Sequence, residues 1–325
     1  MNPQRRSVLQ LCSLAALSGR LCVAGAERYP SKPIKLVLGF PPGGAADGVA
    51  RQLQARWEAL LGQSLIFEYR PGAGATIAAD YVARATPDGY TLHFVESAAL
   101  TIQPNARKLS YDPLSSFTPV GLVASGSVVL VAHPSVPADT VPQLIAMLKA
   151  KPGTFVFGTS GIAGFGHLAA ELFQAMSHTE MTHVPYKGGA PAMIDLVGGQ
   201  VPLLFASIGT SVPYLQSGKI KALGVTTATR AAALPSVPTI AEQGVAGYEF
   251  SVWMALVGPA KLPVDVVSRL GTVLKDALAD TTVQAAIKRQ GYEPTPGTPQ
   301  QLHDRIRTDL AKWSKVIRDR KLAFD

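Results

Sequence analysis

The sequence predicts an α/β protein of two lobes, each with a mainly parallel sheet flanked by helices. Its 325 residues suggest about two domains, at roughly 150 residues per domain. Apolar, β-branched runs alternate with stretches that carry apolar residues at helical spacing, and this order is typical of strands joined by helical crossovers. Two such series follow one another without a low-complexity linker. We therefore expect lobes that are joined by crossing strands.

The first series contains three strands and two helices. The predicted strands span 34–40, 65–68 and 90–95, and the predicted helices span 47–61 and 75–85. Gly62 is expected to end the first helix as a C-terminal cap. The β-α-β-α-β order indicates parallel strands with helical crossovers.

The second series is longer, and a largely helical tail follows it. Its predicted strands span 128–132, 155–158, 182–186, 201–205 and 222–225, and its predicted helices span 141–149, 166–176 and 191–197. Another strand is expected at 250–257, and the chain from Val264 is mainly helical. We assign 27–127 plus 226–265 to lobe 1, 128–225 to lobe 2, and 266–325 to C-terminal helices that pack across the lobes.

Composition excludes several classes of protein. The chain is 47% hydrophobic and 16% charged, which is incompatible with a disordered protein. The net charge of +8 includes Arg5, Arg6 and Arg20, and without them 27 basic residues face 22 acidic ones, leaving +5. This mild excess argues against a nucleic-acid partner. The basic stretch from Leu302 to Lys321 has apolar residues three or four apart, so a solvated amphipathic helix is favoured over a membrane or nucleic-acid surface.

Residues 1–26 have the pattern of an export signal peptide. They contain no acidic residue, Arg5-Arg6 precede an apolar run, and Ala24-Gly25-Ala26 is a small-x-small cleavage site. We expect cleavage after Ala26 and a soluble, periplasmic mature chain. The segment fits both the twin-arginine and the general secretory route, and the alternative is an amphipathic N-terminus of a cytosolic protein. Because Cys12 and Cys22 both lie in this segment, no disulfide or cysteine metal site is expected in the mature chain.

Short motifs give little support for an enzyme, a cofactor or a metal. Gly72-Ala73-Gly74 lacks the third glycine of a dinucleotide fingerprint, because position 77 is Ile77. The sequence has neither a P-loop nor a G-x-S-x-G nucleophile motif. The two histidines of His178–His183 are interpreted as parts of a surface turn and a strand, in preference to a metal site.

Glycine and small polar residues occupy three predicted strand-to-helix junctions, at 40–47, 96–98 and 159–167. Open α/β sheets bind ligands at the carboxyl ends of their strands. Helix N-termini expose unpaired N–H groups, and glycine lets an anion approach them. One such loop in each lobe predicts a carboxylate held from two sides of a cleft.

A set of short motifs resembles those of the Bug/TctC receptors, the periplasmic solute-binding proteins of tripartite tricarboxylate transporters. The motifs cover the expected mature chain in order; they include Phe40-Pro-Pro-Gly-Gly44, Glu68-Tyr-Arg-Pro-Gly-Ala-Gly74, Pro87-Asp-Gly-Tyr-Thr91, Tyr111-Asp-Pro113, His183-Val-Pro-Tyr-Lys-Gly188 and Leu234-Pro-Ser-Val-Pro-Thr239. The resemblance implies a two-lobed periplasmic binding protein fold of the type II-like class, with a small carboxylate between the lobes.

The resemblance also implies a set of ligand-binding residues at these junctions. They are Phe40, Gly43, Gly44, Ala45, Asp47 and Ser97 in lobe 1, and Ser160, Gly161, Gly164, Phe165, His167 and Ser207 in lobe 2. Relatives often carry Ser or Thr where this chain has Gly164 and Phe165, and Asp or Asn where it has Ala206 and Ser207. These changes predict a less polar pocket suited to an aromatic or long aliphatic acid, unless Phe165 packs into the core of the lobe.

We therefore expect a non-enzymatic, monomeric receptor that delivers a small mono- or dicarboxylate to the membrane components of a tripartite tricarboxylate-type transporter. It would need no cofactor, metal or nucleic acid. One alternative is a carboxylate receptor for a sensor kinase, which would share the same binding chemistry. An α/β enzyme acting on a small acid is the alternative from another class.

Overall fold

A computed structural model describes residues 29–186, 188–319 and 321–322. The expectations about the signal peptide, its cleavage site and the two cysteines fall outside these residues. The first half of the described chain contains β1 (Ile34–Leu38), α1 (Ala45–Leu61), β2 (Leu65–Tyr69), α2 (Thr76–Ala83), β3 (Thr91–Glu96), α3 (Ser97–Thr101), α4 (Gln103–Ala106), β4 (Phe117–Gly126), β5 (Val128–Ala132), α5 (Val141–Ala150) and β6 (Val156–Thr159). The second half contains α6 (Phe165–Ser177), β7 (Thr182–Pro185), α7 (Gly189–Val197), β8 (Leu203–Ser207), α8 (Ile208–Gln216), β9 (Lys221–Val225), β10 (Val252–Pro259), α9 (Val264–Ala279), α10 (Thr281–Arg289), β11 (Tyr292–Gly297) and α11 (Pro299–Asp319).

The described strands form two sheets, each with an apolar core on both faces. The strand order is β11-β4-β10-β3-β1-β2 in the first sheet and β7-β6-β8-β5-β9 in the second. Side chains alternate between faces, so Leu36 packs toward α1 and α9 whereas Val37 packs toward α2 and α11. In the second sheet, Leu130 packs toward α5 and α6, and Val131 packs toward α7. The expected two-lobed α/β fold is confirmed.

The sheets are mixed, which corrects the expectation of mainly parallel ones. The pairs β1–β2, β1–β3, β6–β7 and β6–β8 are parallel, but β10 is antiparallel to β3 and β4, and β5 is antiparallel to β8 and β9. The connections between the lobes explain this. One segment leaves the first sheet along β4 and β5 and another returns along β9 and β10, so neighbouring outgoing and returning strands run in opposite directions.

The crossing is tied together at Ser127 and Thr226. The Val128 N–H donates to Thr226 Oγ1 and the Thr226 N–H donates to the Val128 carbonyl, both at 2.9 Å. The Phe250 N–H then donates to the Thr226 carbonyl at 2.8 Å. The two crossing segments are therefore hydrogen-bonded to each other where they pass between the sheets.

The C-terminal region contributes to both lobes. In α11, Leu302 and Ile306 pack in the first lobe, while Trp313 packs in the core of the second. This packing accounts for the apolar face predicted over 302–321. Strand β11, which was not predicted from the sequence, completes the first sheet. The side chains of Tyr248 and Phe250 pack in the core of the second lobe, although the sequence assigns 226–265 to lobe 1. The lobe boundaries therefore stay a prediction.

Candidate functional site

The junction between β1 and α1 is held by a carboxylate of its own helix. Gly44 is the N-cap, and Asp47 is the third helical residue. The Asp47 carboxylate accepts the Gly43 N–H at 2.8 Å, the Tyr69 hydroxyl at 2.6 Å and the Arg51 Nε at 2.9 Å. Gly43 has a φ of +81°, a left-handed conformation that favours glycine. The expected ligand residue Asp47 therefore uses its carboxylate to fix the loop.

The surroundings of Asp47 keep it ionised. Burial by itself would raise the pKa of this carboxyl, but the hydrogen bonds from Tyr69, Gly43 and Arg51 and the charge of Arg51 outweigh burial and hold its pKa below the usual value. The junction thus combines a charged carboxylate, already satisfied by three partners, with an exposed, glycine-lined turn.

The junction between β6 and α6 repeats this arrangement in the second lobe. Gly164 is the N-cap, and His167 is the third helical residue. The Ala163 N–H donates to His167 Nδ1 at 3.1 Å, just as the Gly43 N–H donates to Asp47. Gly161 has a φ of +144° and Ala163 a φ of +54°, so this loop also contains left-handed backbone. Each lobe therefore presents a helix N-terminus whose loop is anchored by the third residue of the helix.

A stack of rings lies beneath the second junction. The His167 and His183 rings are 3.9 Å apart between centroids, and His183 stacks on Phe157 at 5.0 Å. Burial, aided by the neighbouring His183, lowers the pKa of His167 to about 3, and burial lowers the pKa of His183 to about 4. Both rings are therefore neutral at pH 7. The Thr159 hydroxyl lies 2.6 Å from His183 Nε2 and links the stack to the loop.

Two further junctions complete the site, one in each lobe. In lobe 1 the carboxyl of Glu96, the residue that precedes Ser97 at the start of α3, lies near the Ala46 N–H of α1. In lobe 2 the backbone of Gly166 packs so closely on β8 that a Cβ there would lie 2.5 Å from the Phe205 carbonyl oxygen. The strand after Phe205 ends at Ser207, which caps α8. The N-terminus of α1 thus lies beside that of α3 in lobe 1, and the N-terminus of α6 lies beside that of α8 in lobe 2.

The two lobes touch on either side of these junctions. Gln103 Nε2, in α4, donates to the Ala163 carbonyl at 3.2 Å. On the other side, a Cβ at Gly209 of α8 would lie 2.7 Å from the carbonyl oxygen of Gln290 in the turn after α10. These contacts bring the junctions of the two lobes toward each other. The described residues form no hydrogen bond directly between Gly43–Gly44 and Ser160–Gly161.

The remaining predicted residues lie at the same junctions with different exposure. Gly43 is exposed, Phe40, Gly44, Ala45, Ser160, Gly161, Gly164, Phe165 and Ser207 are half-buried, and Ser97 and His167 are buried. Phe165 also packs against the second lobe's core. Glu96, Gln103 and Gln290 were not predicted from the sequence as residues of the site. An acid that ends an otherwise apolar strand was the available signal for Glu96, whereas nothing local marked the two glutamines.

Features outside the junctions bear on other functions. A groove of about 410 Å³ lies between α9, β4 and β11, lined by residues such as Leu122, Val267 and Pro296, and none of its lining residues belongs to the four junctions. Within the described residues, no group of three or more His, Cys, Asp or Glu side chains is placed to hold a metal ion. No helix of the described part combines the length and apolar character needed to cross a membrane.

Comparison with known proteins agrees with this geometry. Residues 49–322 match the family described as "Tripartite tricarboxylate transporter family receptor". The chain is 33% identical to Protein BugT of Bordetella pertussis over 309 residues, which covers 94% of each chain. It is similar to the solved structure titled "R. palustris Rpa4515 with adipate", with 36% identity, a TM-score of 0.83 and coverage of 91% of this chain and 99% of that one. It is also similar to MatC from Rhodopseudomonas palustris with bound malate, at 29% identity and a TM-score of 0.80, covering 89% and 100% of the two chains.

Proposed function

This chain belongs to the tripartite tricarboxylate transporter receptor family, a family of solute-binding receptors, and from that premise we propose that it binds a small carboxylate between its lobes and delivers it to the membrane components of such a transporter. Relatives solved with adipate and malate support the ligand class. We further propose that the receptor is periplasmic, because its structural relatives include a periplasmic binding protein, and that it acts as a monomer.

One observation carries the binding proposal. Each lobe has a glycine-capped helix N-terminus directly after a strand, and in each the third helical residue anchors the loop through a backbone N–H. Helix N-termini attract anions through unpaired N–H groups and the helix dipole. We propose that Phe40, Gly43, Gly44, Ala45 and Ser97 line the cleft from lobe 1. The matching set in lobe 2 is Ser160, Gly161, Gly164, Phe165 and Ser207. Asp47 and His167 would serve this site by holding its loops.

Calorimetric titration with adipate, malate and hexanoate tests the proposal. At least one acid should bind, and at 100 times its Kd it should add about 2.7 kcal/mol to the free energy of unfolding. Ser207→Ala, at the start of α8, should weaken binding, whereas Ser217→Ala, which removes a hydroxyl from the other end of the same helix, should not. Turnover of an acid, or a lack of binding by every acid tested, would contradict the proposal.

The delivery step needs a separate test in cells. Cells that lack this receptor should take up the bound acid no faster than cells that lack the membrane components. Uptake that depends on the membrane components but not on the receptor would show that the chain binds the acid for another purpose.

A further inference from the structure

One buried hydroxyl holds both peptide groups of Gly161, in the loop between β6 and α6. The Gly161 N–H donates to Thr159 Oγ1 at 3.2 Å, and the Gly161 carbonyl oxygen lies 3.1 Å from the same hydroxyl. Gly161 has a φ of +144° and no side chain of its own to restrict rotation. Thr159, at the end of β6, is fully buried. The orientation of this glycine therefore depends on the Thr159 hydroxyl.

The same contacts set the direction of two N–H groups of the loop. A carbonyl and the N–H that follows it belong to one planar trans peptide group and point in opposite directions. Because the Gly161 carbonyl is directed at Thr159, the Ile162 N–H is directed away from it. The Thr159 carbonyl accepts the Tyr186 N–H at 3.0 Å, so the Ser160 N–H is directed away from β7. Within the described residues, neither the Ser160 N–H nor the Ile162 N–H donates a hydrogen bond.

The Thr159 hydroxyl has three partners but a single proton. Besides the two groups of Gly161, it lies 2.6 Å from His183 Nε2. A hydroxyl can donate once and accept twice, whereas the Gly161 N–H can only donate and the Gly161 carbonyl can only accept. All three contacts are satisfied together when His183 Nε2 carries a proton and donates it to the hydroxyl. With Nε2 unprotonated, the hydroxyl proton could serve the ring or the Gly161 carbonyl, but not both.

Ring stacking connects His183 to the other end of the loop. Its ring lies 3.9 Å from the His167 ring at an interplanar angle of 13°, and 5.0 Å from the Phe157 ring. His167 Nδ1 accepts the Ala163 N–H at 3.1 Å, which leaves the proton of this neutral ring on Nε2, 3.7 Å from the Glu171 carboxyl. The two stacked rings therefore hold the loop at Gly161 and at Ala163.

We propose that His183 is a positioning residue of the ligand site, whose Nε2–H orients the Thr159 hydroxyl and, through it, both peptide groups of Gly161. This role rests on the proposed carboxylate-binding function. His183 acts without touching the solute: it keeps the Ser160 and Ile162 N–H groups in one orientation before the acid arrives, which lowers the cost of ordering the loop. A loop that adopted this arrangement about one tenth of the time would bind the acid about ten times more weakly.

Four substitutions separate the donor from the ring, and the hydroxyl from the shape of its side chain. His183→Phe keeps a ring for the stack and loses the donor, whereas His183→Gln keeps an N–H donor and loses the ring. Thr159→Val keeps the shape and loses the hydroxyl, whereas Thr159→Ser keeps the hydroxyl. Each variant would be titrated with whichever of adipate, malate and hexanoate binds the wild-type protein most tightly. We expect His183→Phe and Thr159→Val to weaken binding about tenfold or more, and His183→Gln and Thr159→Ser to stay within about threefold of wild type.

A double variant tests whether His183 acts through Thr159. His183→Phe combined with Thr159→Val should bind no more than about twofold less tightly than the weaker single variant, because both changes remove the same link. His133→Phe and Thr182→Val are the matched controls. His133 contacts Ser135 just after β5, and the Thr182 hydroxyl donates to the Gly153 carbonyl at the start of β7, both at the end of the second sheet away from Thr159. Neither control should change the affinity.

Nitrogen NMR of the histidine rings gives a readout that does not depend on affinity. The His183 signals of the wild-type protein at pH 7, identified by their absence from the spectrum of His183→Gln, should show a protonated Nε2 and an unprotonated Nδ1. Protonation of Nδ1 alone would overturn the proposal. Because this measurement needs only the wild-type protein and the donor-keeping variant, it decides the matter even if His183→Phe or Thr159→Val does not fold, which urea unfolding would reveal.

The other contradicting results are distinguishable from a failure of the proposed function. If acids bind but folded His183→Phe retains wild-type affinity, or His183→Gln binds as weakly as His183→Phe, the positioning role is wrong while the proposed function stands. Losses that multiply in the double variant would show that His183 acts independently of Thr159, which also overturns the role. If no acid binds the folded wild-type protein, the proposed function fails, and the positioning role fails with it.

Discussion

Replacing Asp47 with Asn should both destabilise lobe 1 and loosen its ligand loop. The carboxylate accepts the Gly43 N–H at 2.8 Å and the Tyr69 hydroxyl at 2.6 Å, and it is 4% exposed. Hydrogen bonds to a charged group contribute about 1.5–3 kcal/mol each, roughly twice as much as neutral ones. An Asn side chain keeps one acceptor oxygen but loses the charge. We therefore expect the free energy of unfolding to fall by about 2 kcal/mol at pH 7, with little added by the half-exposed, solvent-screened Arg51.

The pH dependence of this effect has a definite sign. The folded pKa of Asp47 lies below its ordinary value, so its stabilising contribution is present above the unfolded pKa and is lost as the pH falls through the folded one. The gap between wild type and Asp47→Asn should be constant from pH 5 to pH 8 and should narrow below about pH 4. Binding of the acid should weaken about tenfold or more at pH 7, because Gly43 loses its anchor.

Urea unfolding followed by circular dichroism, with calorimetric titration of the bound acid, measures both effects. Asp139→Asn is the matched control, since Asp139 is a largely exposed carboxylate paired with Lys221, and it should change neither quantity appreciably. A loss of stability no larger than the control's would show that Asp47 does not hold the loop. Normal binding by a destabilised variant would show that the anchor is irrelevant to the site.

Four further predictions follow from single contacts. Gly44→Val should abolish binding in calorimetry yet keep a wild-type circular dichroism spectrum, because Gly44 has an ordinary φ of −76° but a branched side chain would cover the helix N-terminus. Phe165→Ser should weaken an aromatic or long-chain acid by up to about tenfold, through the loss of about 0.5–1.5 kcal/mol of ring contact, and should affect malate less when both are titrated. Gln103→Met should slow dissociation of the bound acid severalfold in stopped-flow measurements. In the described structure Gln103 Oε1 is buried without a partner. Burying that oxygen costs about 1–3 kcal/mol, which exceeds the net stabilisation of about 0.5–1.5 kcal/mol from the hydrogen bond to the Ala163 carbonyl. The free energy of unfolding, measured in urea, should fall as the pH drops from 6.5 toward 4. The pKa values of His167 and His183 are lower in the folded protein than in the unfolded chain, so the unfolded chain takes up protons first. His183→Gln should reduce the dependence of the free energy of unfolding on pH.

Each of these expectations has an outcome that contradicts it. Wild-type affinity in Gly44→Val would exclude the α1 N-terminus from the site. Equal losses for both acids in Phe165→Ser would identify Phe165 as a packing residue. Faster dissociation from Gln103→Met would mean that its interlobe hydrogen bond outweighs the buried oxygen. Stability that is level between pH 6.5 and pH 4 would mean that the stacked histidines are not held neutral.

Local sequence patterns determined most of the elements. The apolar alternation of β1 and the helical spacing of α1 depend on neighbours within a few residues, and Gly62 ends α1 with a φ of +70°, as its position predicted. The glycine-rich junctions were also visible, because turn chemistry is local. Strand β11 was missed because Pro294, Pro296 and Gly297 are unfavourable in a strand interior. An edge position in the sheet tolerates them.

The tertiary structure alone decided what each junction can offer to a solute. The sequence predicts Asp47 as a ligand residue, and only the folded chain shows that its carboxylate accepts a hydrogen bond from Tyr69, 22 positions away along the chain. Glu96 meets Ala46, and Gln103 meets Ala163, through contacts between segments that no local pattern relates. The antiparallel crossing strands likewise follow from where the chain leaves and re-enters each lobe. Sequence alone predicted where helices begin, because capping and periodicity act over a few residues. Which of their N–H groups stay open depends on partners that only the folded chain brings into contact.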